Sequence, residues 1–252
     1  MLRPATLGYS LIELLVTITI IAILASIVLV TLAKVRSTAK SFVCKNNLKT
    51  VAFEFIQFAD DLSPTDRGDS EALGRNAFHI EDFQEKLYRI DEFWGPDPAG
   101  QRPYKPSAQP LMCPGGPKQL LRSAGLPCSN GAVGPARNVT IGFNMRLDRA
   151  SVRMGGRWIL RKVRLTHRVL EHPSVPLAFE VDGEQADRNR RIPYYAAPPA
   201  GDPGLYGDGT FWFPKTRHGR RVNAAFVGGH VLSAPRPENQ ADWDWRYQHP
   251  PD

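Results

Sequence analysis

Between Gly8 and Pro64 the chain contains neither glycine nor proline. Of its 21 Gly and 22 Pro, all but Gly8 and Pro4 fall after that stretch. Nothing in 9–63 therefore interrupts a helix, whereas the rest of the chain is punctuated every few residues by turn formers. The sequence describes two objects, a continuous rod and a turn-rich globule. With 42% apolar and 23% charged residues the globule has material for a core and lies far from disordered composition. A net charge of +7 permits an anionic partner without demanding one.

The first half of the rod, 14–33, reads LLVTITIIAILASIVLVTLA and carries no charge. At about 1.5 Å per residue it matches a hydrocarbon core of roughly 30 Å. It is long for a signal-peptide apolar region and no clean small-x-small cleavage site follows, so a membrane helix is predicted. Lys34, Arg36, Lys40, Lys45 and Lys49 follow the span and only Arg3 precedes it, which by charge alone would leave the C-terminal domain in the cytoplasm. Beyond the span, Leu48, Val51, Ala52, Phe55, Phe58, Ala59 and Leu62 recur at spacings of three and four, one apolar stripe ended by Asp61-Leu62-Ser63-Pro64. One helix of roughly 50 residues is expected, half in lipid and half packed on a domain.

Immediately ahead of the span stands Gly8-Tyr9-Ser10-Leu11-Ile12-Glu13, preceded by a short polar leader with Arg3. This resembles the processing site of type IV pilins and type II secretion pseudopilins. The resemblance implies cleavage after Gly8 by prepilin peptidase, methylation of the new N-terminal Tyr9, which replaces the usual Phe, and a Glu13 that pairs with the amine of a neighbouring subunit during assembly. It further implies an α+β, pilin-like fold in which a long N-terminal transmembrane helix continues into a small globular domain with an antiparallel β-sheet. The parts would be a leader at 1–8, a transmembrane stretch at 9–33, an amphipathic continuation at 34–62 and an extracytoplasmic domain at 63–252. Implied partners are the peptidase, other pilin-like subunits and an inner-membrane assembly platform. The implied location is the bacterial inner membrane, single-pass, with the C-terminal domain periplasmic or at the cell surface.

In the globule, Ile80, Phe83, Leu87 and Ile90 suggest a short second helix bounded by Gly95-Pro96, and strands are expected at 139–143, 158–165, 175–181, 211–213, 222–227 and 230–234. Gly228-Gly229 between the last two suits a two-residue hairpin turn with positive φ at both positions. The tail with Trp243 and Trp245 either packs on the sheet or hangs free. Cys44-Lys45-Asn46-Asn47-Leu48-Lys49, Cys113-Pro114, Ile141-Gly142-Phe143-Asn144, Pro173-Ser174, His218 and Gly228-Gly229-His230-Val231 together resemble the prepilin-type processing-associated family of Planctomycetes-type bacteria, whose signature is a His, nine residues, then Asp-Gly. Here Gly228 stands in place of the Asp; either residue would fit the expected turn, so Asp at 228 should be tolerated. That resemblance implies a Cys44–Cys113 disulfide, while proximity in sequence favours Cys113 with Cys128.

The stretch 137–168 carries nine Lys or Arg against the single acid Asp148. Arg157, Arg161 and Arg164, with Trp158, form either a binding surface for DNA or acidic polysaccharide or a solvated strand face. The first of these would make the chain a membrane-tethered binding module. Nucleophile-elbow, zincin and phosphate-loop motifs are absent, so no enzyme, cofactor or metal site is expected. His218 with His230 and Asp182 or Asp187 has no ligand spacing that singles it out, and Asp182, Glu184 and Asp187 form no recognisable Ca²⁺ loop.

Overall fold

Helix α1 runs unbroken over Leu11–Asp60, in a computed structural model that describes residues 10–60, 77–88, 111–117, 139–199 and 206–249. The leader, Gly8, Tyr9, the stop at Asp61-Leu62-Ser63-Pro64, Ile90, Gly95-Pro96 and Cys128 lie outside the described residues. By its internal contacts the chain divides into two units, Met1–Ala39 and Lys40–Asp252.

The described part of the first unit is helix. Its described side chains face outward: Leu14, Ile18, Ile21 and Leu29 are each more than half exposed. The segment is long and apolar enough to cross a membrane. The four hydroxyls of the uncharged run are compatible with lipid because each is bonded to its own backbone: Thr17 donates to Leu14 O (2.8 Å), Thr19 to Leu15 O (2.6 Å), Ser26 to Ile23 O (2.7 Å) and Thr31 to Val28 O (2.9 Å). A hydroxyl left unpaired in hydrocarbon would cost several kcal/mol, on the order of a buried unsatisfied group.

In the second unit, α1 buries Cys44, Leu48, Val51, Ala52, Phe55, Phe58 and Ala59, and Lys45, Lys49 and Asp60 stay exposed. The stripe read from sequence is the buried face. It meets β1 (Ala77–Phe78) and α2 (Ile80–Tyr88) through edge-to-face rings: Phe83 lies 5.3 Å from Phe55, 5.5 Å from Phe58 and 6.1 Å from Phe143 between centroids.

The remaining strands are β2 (Ile141–Asn144), β3 (Arg149–Met154), β4 (Arg157–Lys162), β5 (Leu165–Thr166), β6 (Pro176–Glu180), β7 (Tyr195–Ala196), β8 (Val222–Phe226) and β9 (Val231–Ala234), with a short helix α3 (Gly183–Arg188) after β6. The main sheet has the order β7-β2-β6-β8-β9, antiparallel except for β7, which runs parallel to β2. Its three inner strands are buried along their whole length. Along β6 the pleat sends Glu180 toward Cys44 of α1 and Phe179 to the opposite face, against Trp212 and Trp245 at 5.5 and 5.1 Å. The Trp tail packs there: Trp243 and Trp245 are buried, and Trp245 Nε1 donates to Pro237 O (2.8 Å).

Several expectations are corrected. Residues 211–213 form no strand; Phe211 and Phe213 are buried in a loop whose carbonyls accept Ala197 N–H (3.1 Å) and Asp182 N–H (2.8 Å), and an isolated bridge joins Val181 to Pro214. The expected strand 158–165 is two strands, β4 paired with β3 and β5 with β1. The two-residue turn with both φ positive occurs at Gly155-Gly156 (φ +56° and +81°), where Met154 pairs with Arg157. At the β8–β9 turn only Gly229 has positive φ, at +82°. Gly229 N–H donates to Phe226 O (2.9 Å) and Phe226 N–H to His230 O (3.0 Å), so Val227, Gly228 and Gly229 make a three-residue loop closed by a left-handed glycine.

Candidate functional site

Two places carry chemistry, one in each unit. At the start of α1, Ser10 and Glu13 have the Ser-x-x-Glu spacing of a capping box, a signal that the sequence holds inside the processing motif and that the motif alone does not reveal. Glu13 Oε2 accepts the Ser10 backbone N–H (3.0 Å), and Leu14 N–H donates to Ser10 O (3.1 Å). The carboxylate expected to act in assembly thus also holds the first turn, beside the position of Tyr9.

The second place lies under α1 in the second unit. Cys44 on α1, Cys113 in the 111–117 loop, Glu180 at the end of β6 and His218 in the loop before β8 bring one donor atom each to within 4.8 Å of one another. Cys44 Sγ donates to Glu180 Oε1 (3.4 Å), and His218 Nε2 faces both Cys113 Sγ (3.0 Å) and Glu180 Oε1 (3.2 Å). The two cysteines are unbonded thiols. Both are buried, and the side chains of Glu180 and His218 are 0% and 5% exposed.

Each contributor is fixed from behind. Cys113 N–H donates to Thr140 Oγ1 (2.6 Å), Asn47 of α1 holds the same loop through Met112 O (3.3 Å), and Gly116 N–H closes the turn on Cys113 O (2.8 Å). Gly115 N–H donates to Cys113 Sγ (3.3 Å). A Cβ on Gly115 would meet His218 Cε1 at 3.1 Å, so glycine there lets the imidazole lie on the backbone. Arg217 anchors the segment bearing His218 to Thr140 O (3.3 Å) and Val181 O (2.6 Å). Glu180 Oε2 accepts the Asn223 N–H (2.8 Å).

The electrostatics follow from these contacts. The hydrogen bond from Cys44, together with Gly115 N–H and His218, brings the Cys113 thiol down to about 7 against the opposing effect of burial. The same bond, with burial and the nearby Glu180 carboxylate, pushes Cys44 far up. The Glu180 hydrogen bond raises His218. Carboxylate, imidazole and two sulfurs are thus brought into mutual contact under α1.

The other sequence candidates sit elsewhere. His230 is exposed and stacks on Phe226, 4.6 Å between ring centroids, and Asp182 caps α3 by accepting Gln185 N–H (3.2 Å) and pairs with Lys215 (2.6 Å). Neither belongs to the cluster. Gly228 needs to be glycine for a reason other than its φ: a Cβ there would lie 2.5 Å from Pro173 Cβ and 2.9 Å from Pro173 Cα. The Asp of the family signature therefore does not fit here, contrary to the expectation of tolerance. In the basic stretch, Arg157 and Arg161 alternate on one face of β4 and are exposed, as is Arg164 in the loop beyond. Arg146 is buried over the Tyr206 ring (4.2 Å), Arg149 pairs with Asp148 (3.2 Å), and Lys162 pairs with Glu81. Glu180 was not singled out from sequence, although a carboxylate ending an otherwise apolar strand was the available signal.

Residues 3–29 match the family model of the prokaryotic N-terminal methylation motif. The matched span contains Gly8, Tyr9, Glu13 and most of the uncharged run, and it supports a type IV pilin-like subunit for which prepilin peptidase and other pilin-like subunits are the implied partners. Motif and apolar helix are together consistent with a single-pass membrane anchor. The motif suggests a structural subunit and not an enzyme. No curated protein and no solved structure matches the chain.

Proposed function

We propose that this chain is a pseudopilin-like structural subunit, cut after Gly8, methylated on Tyr9, and assembled in a type II secretion or type IV pilus-like filament. The observation that carries the reading is the methylation motif at 3–29 opening a helix whose apolar side chains remain exposed, with an acid in its first turn. Such a surface suits lipid before assembly and the helices of other subunits afterwards. In this reading 1–8 is the leader, 9–33 the membrane part and 34–62 the amphipathic continuation. The domain at 63–252 is periplasmic or at the cell surface, and the inner-membrane assembly platform is a further partner. The nearness of Cys44 and Cys113 in the fold supports kinship with the processing-associated family of Planctomycetes-type bacteria. For a tethered module binding an anionic polymer, Arg157, Arg161 and Arg164 are exposed but Arg146, Arg149 and Lys162 of the same stretch are buried or paired, and no second feature among the described residues favours that reading over the subunit.

The test is filament incorporation. Processed wild-type protein is expected in sheared surface fractions, and Glu13→Gln protein is expected to be processed, to remain in the membrane and to unfold with wild-type stability. Absence of wild-type protein from the sheared fraction, or equal amounts of both proteins in it, contradicts the reading.

A further inference from the structure

We propose that Cys44, Cys113, Glu180 and His218 form a closed, four-coordinate site for a divalent metal ion, zinc by its donor set, that pins α1 and the 111–117 loop to the sheet. The chemistry of the donors is the first argument. Two thiol sulfurs, one imidazole nitrogen and one carboxylate oxygen form a mixed soft and borderline set, which favours Zn²⁺ over Mg²⁺ or Ca²⁺. Four protein ligands, three of them buried and the fourth, His218, with its side chain 5% exposed, leave no coordination position for substrate, which is the mark of a structural site.

Geometry is the second argument. Bonds of about 2.3 Å to sulfur and about 2.0–2.2 Å to nitrogen and oxygen set tetrahedral ligand separations of roughly 3.8 Å between sulfurs, about 3.6 Å from sulfur to nitrogen or oxygen, and about 3.4 Å from nitrogen to oxygen. Cys44 Sγ to Glu180 Oε1 is 3.4 Å, and His218 Nε2 to Glu180 Oε1 is 3.2 Å. Cys113 Sγ to His218 Nε2 is 3.0 Å, and all of the separations are within 4.8 Å. Adjustments of about 0.2 to 1 Å, within the reach of side-chain torsions, centre an ion among them.

The surroundings are the third. Ligands of a structural metal are held by other groups, and here the second carboxylate oxygen is held by Asn223 N–H and the Cys113 sulfur receives Gly115 N–H within the Cys113-Pro114-Gly115-Gly116 turn. A disulfide between the cysteines would use two of these four side chains and leave the Glu180–His218 pair beside it without a common centre. An ion uses all four. Binding is balanced by proton release: the ion displaces the two thiol protons and any proton on His218 Nε2, and no redox partner is needed.

The experiment uses the full chain, purified in mild detergent with reductant and no chelator. Elemental mass spectrometry is expected to find one equivalent of zinc per chain, with loss of that equivalent in Cys113→Ser and in His218→Ala. Because a variant can fail to fold, a second arm uses wild-type protein: the metal is stripped with a chelator and Co²⁺ is added. One equivalent of Co²⁺ should give the intense visible bands of a tetrahedral ion with thiolate charge transfer in the near ultraviolet, and Zn²⁺ should abolish both. Protein with less than one-tenth of an equivalent after zinc exposure, or a Co²⁺ spectrum lacking thiolate bands, overturns the proposal. So does a Cys44–Cys113 disulfide in peptide maps of acid-quenched cells. None of these outcomes bears on the subunit reading, which stands or falls with N-terminal processing.

Discussion

Replacing Gly228 by Asp or Ala should destabilise the second unit by about 2–4 kcal/mol, and the reason is contact with Pro173 and not turn conformation. A Cβ in ideal geometry lies 2.5 Å from Pro173 Cβ, 2.9 Å from its Cα and 3.0 Å from its O, where carbon atoms prefer about 3.5–4.0 Å. Two of the three atoms are backbone, so nothing can swing aside. Opening the gap breaks the Gly228 N–H bond to Pro173 O (3.2 Å) and strains that of Val227 to Val175 O (3.0 Å), which tie the β8–β9 turn to the chain entering β6. Overpacking of this kind costs about 1–3 kcal/mol and the lost hydrogen bond about 0.5–1.5 kcal/mol. At Gly229, whose φ is +82° and whose nearest obstacle is the flexible end of Ile56 at 3.0 Å, alanine costs only about 1–2 kcal/mol. Urea unfolding of the full chain in mild detergent, followed by Trp fluorescence, reads the difference, because the five Trp all lie at or beyond position 94. With a slope of about 1–3 kcal/mol/M, Gly228→Asp should lower the midpoint by roughly 1–2 M and more than Gly229→Ala. A Gly228→Asp midpoint within about 0.3 M of wild type would refute the packing argument.

Phe83→Ala should cost about 3–5 kcal/mol in the same assay, since its fully buried ring joins Phe55, Phe58 and Phe143 edge to face and its removal leaves a cavity among them. Asp148 supplies a pH dependence: burial, reinforced by the Glu81 charge and only partly offset by Arg149, holds its carboxyl up at about 6, and its Oδ1 has no hydrogen-bond partner among the described residues. A raised folded-state value means that this contribution to stability is full below about pH 4 and is lost as pH rises through 6, by on the order of 2–3 kcal/mol. Asp148→Asn should therefore flatten the fall in urea midpoint between pH 4 and pH 7, and an unchanged slope would contradict it.

The helix and its two faces were legible in the sequence because their determinants are local. Absence of breakers over 9–63 and the three-four spacing of Leu48, Val51, Phe55 and Phe58 act within a turn or two. The strands were less so. Phe211 and Phe213 alternate as a strand would, but they meet the sheet only by single hydrogen bonds from Ala197 and Asp182 and make no ladder among the described residues; β7 is two residues long and is defined only by its partner β2. The Gly-Gly pairs at 155 and 228 look alike in sequence, and what separates them is tertiary: a Cβ added at Gly155 or Gly156 would have nothing within 4 Å, whereas Gly228 lies against Pro173. The cluster of Cys44, Cys113, Glu180 and His218 was half legible. Family resemblance joins the cysteines, but the sequence sets His218 nearest His230 of the following hairpin, whereas its carboxylate partner comes from β6.

The central claim is that this chain is a processed, pilin-like subunit, and the mass of its native N-terminus tests that claim most directly. Protein isolated from membranes should begin at Tyr9 and carry one methyl group on its α-amine. A native chain that begins at Met1, or at a residue after Ala25, would contradict the account.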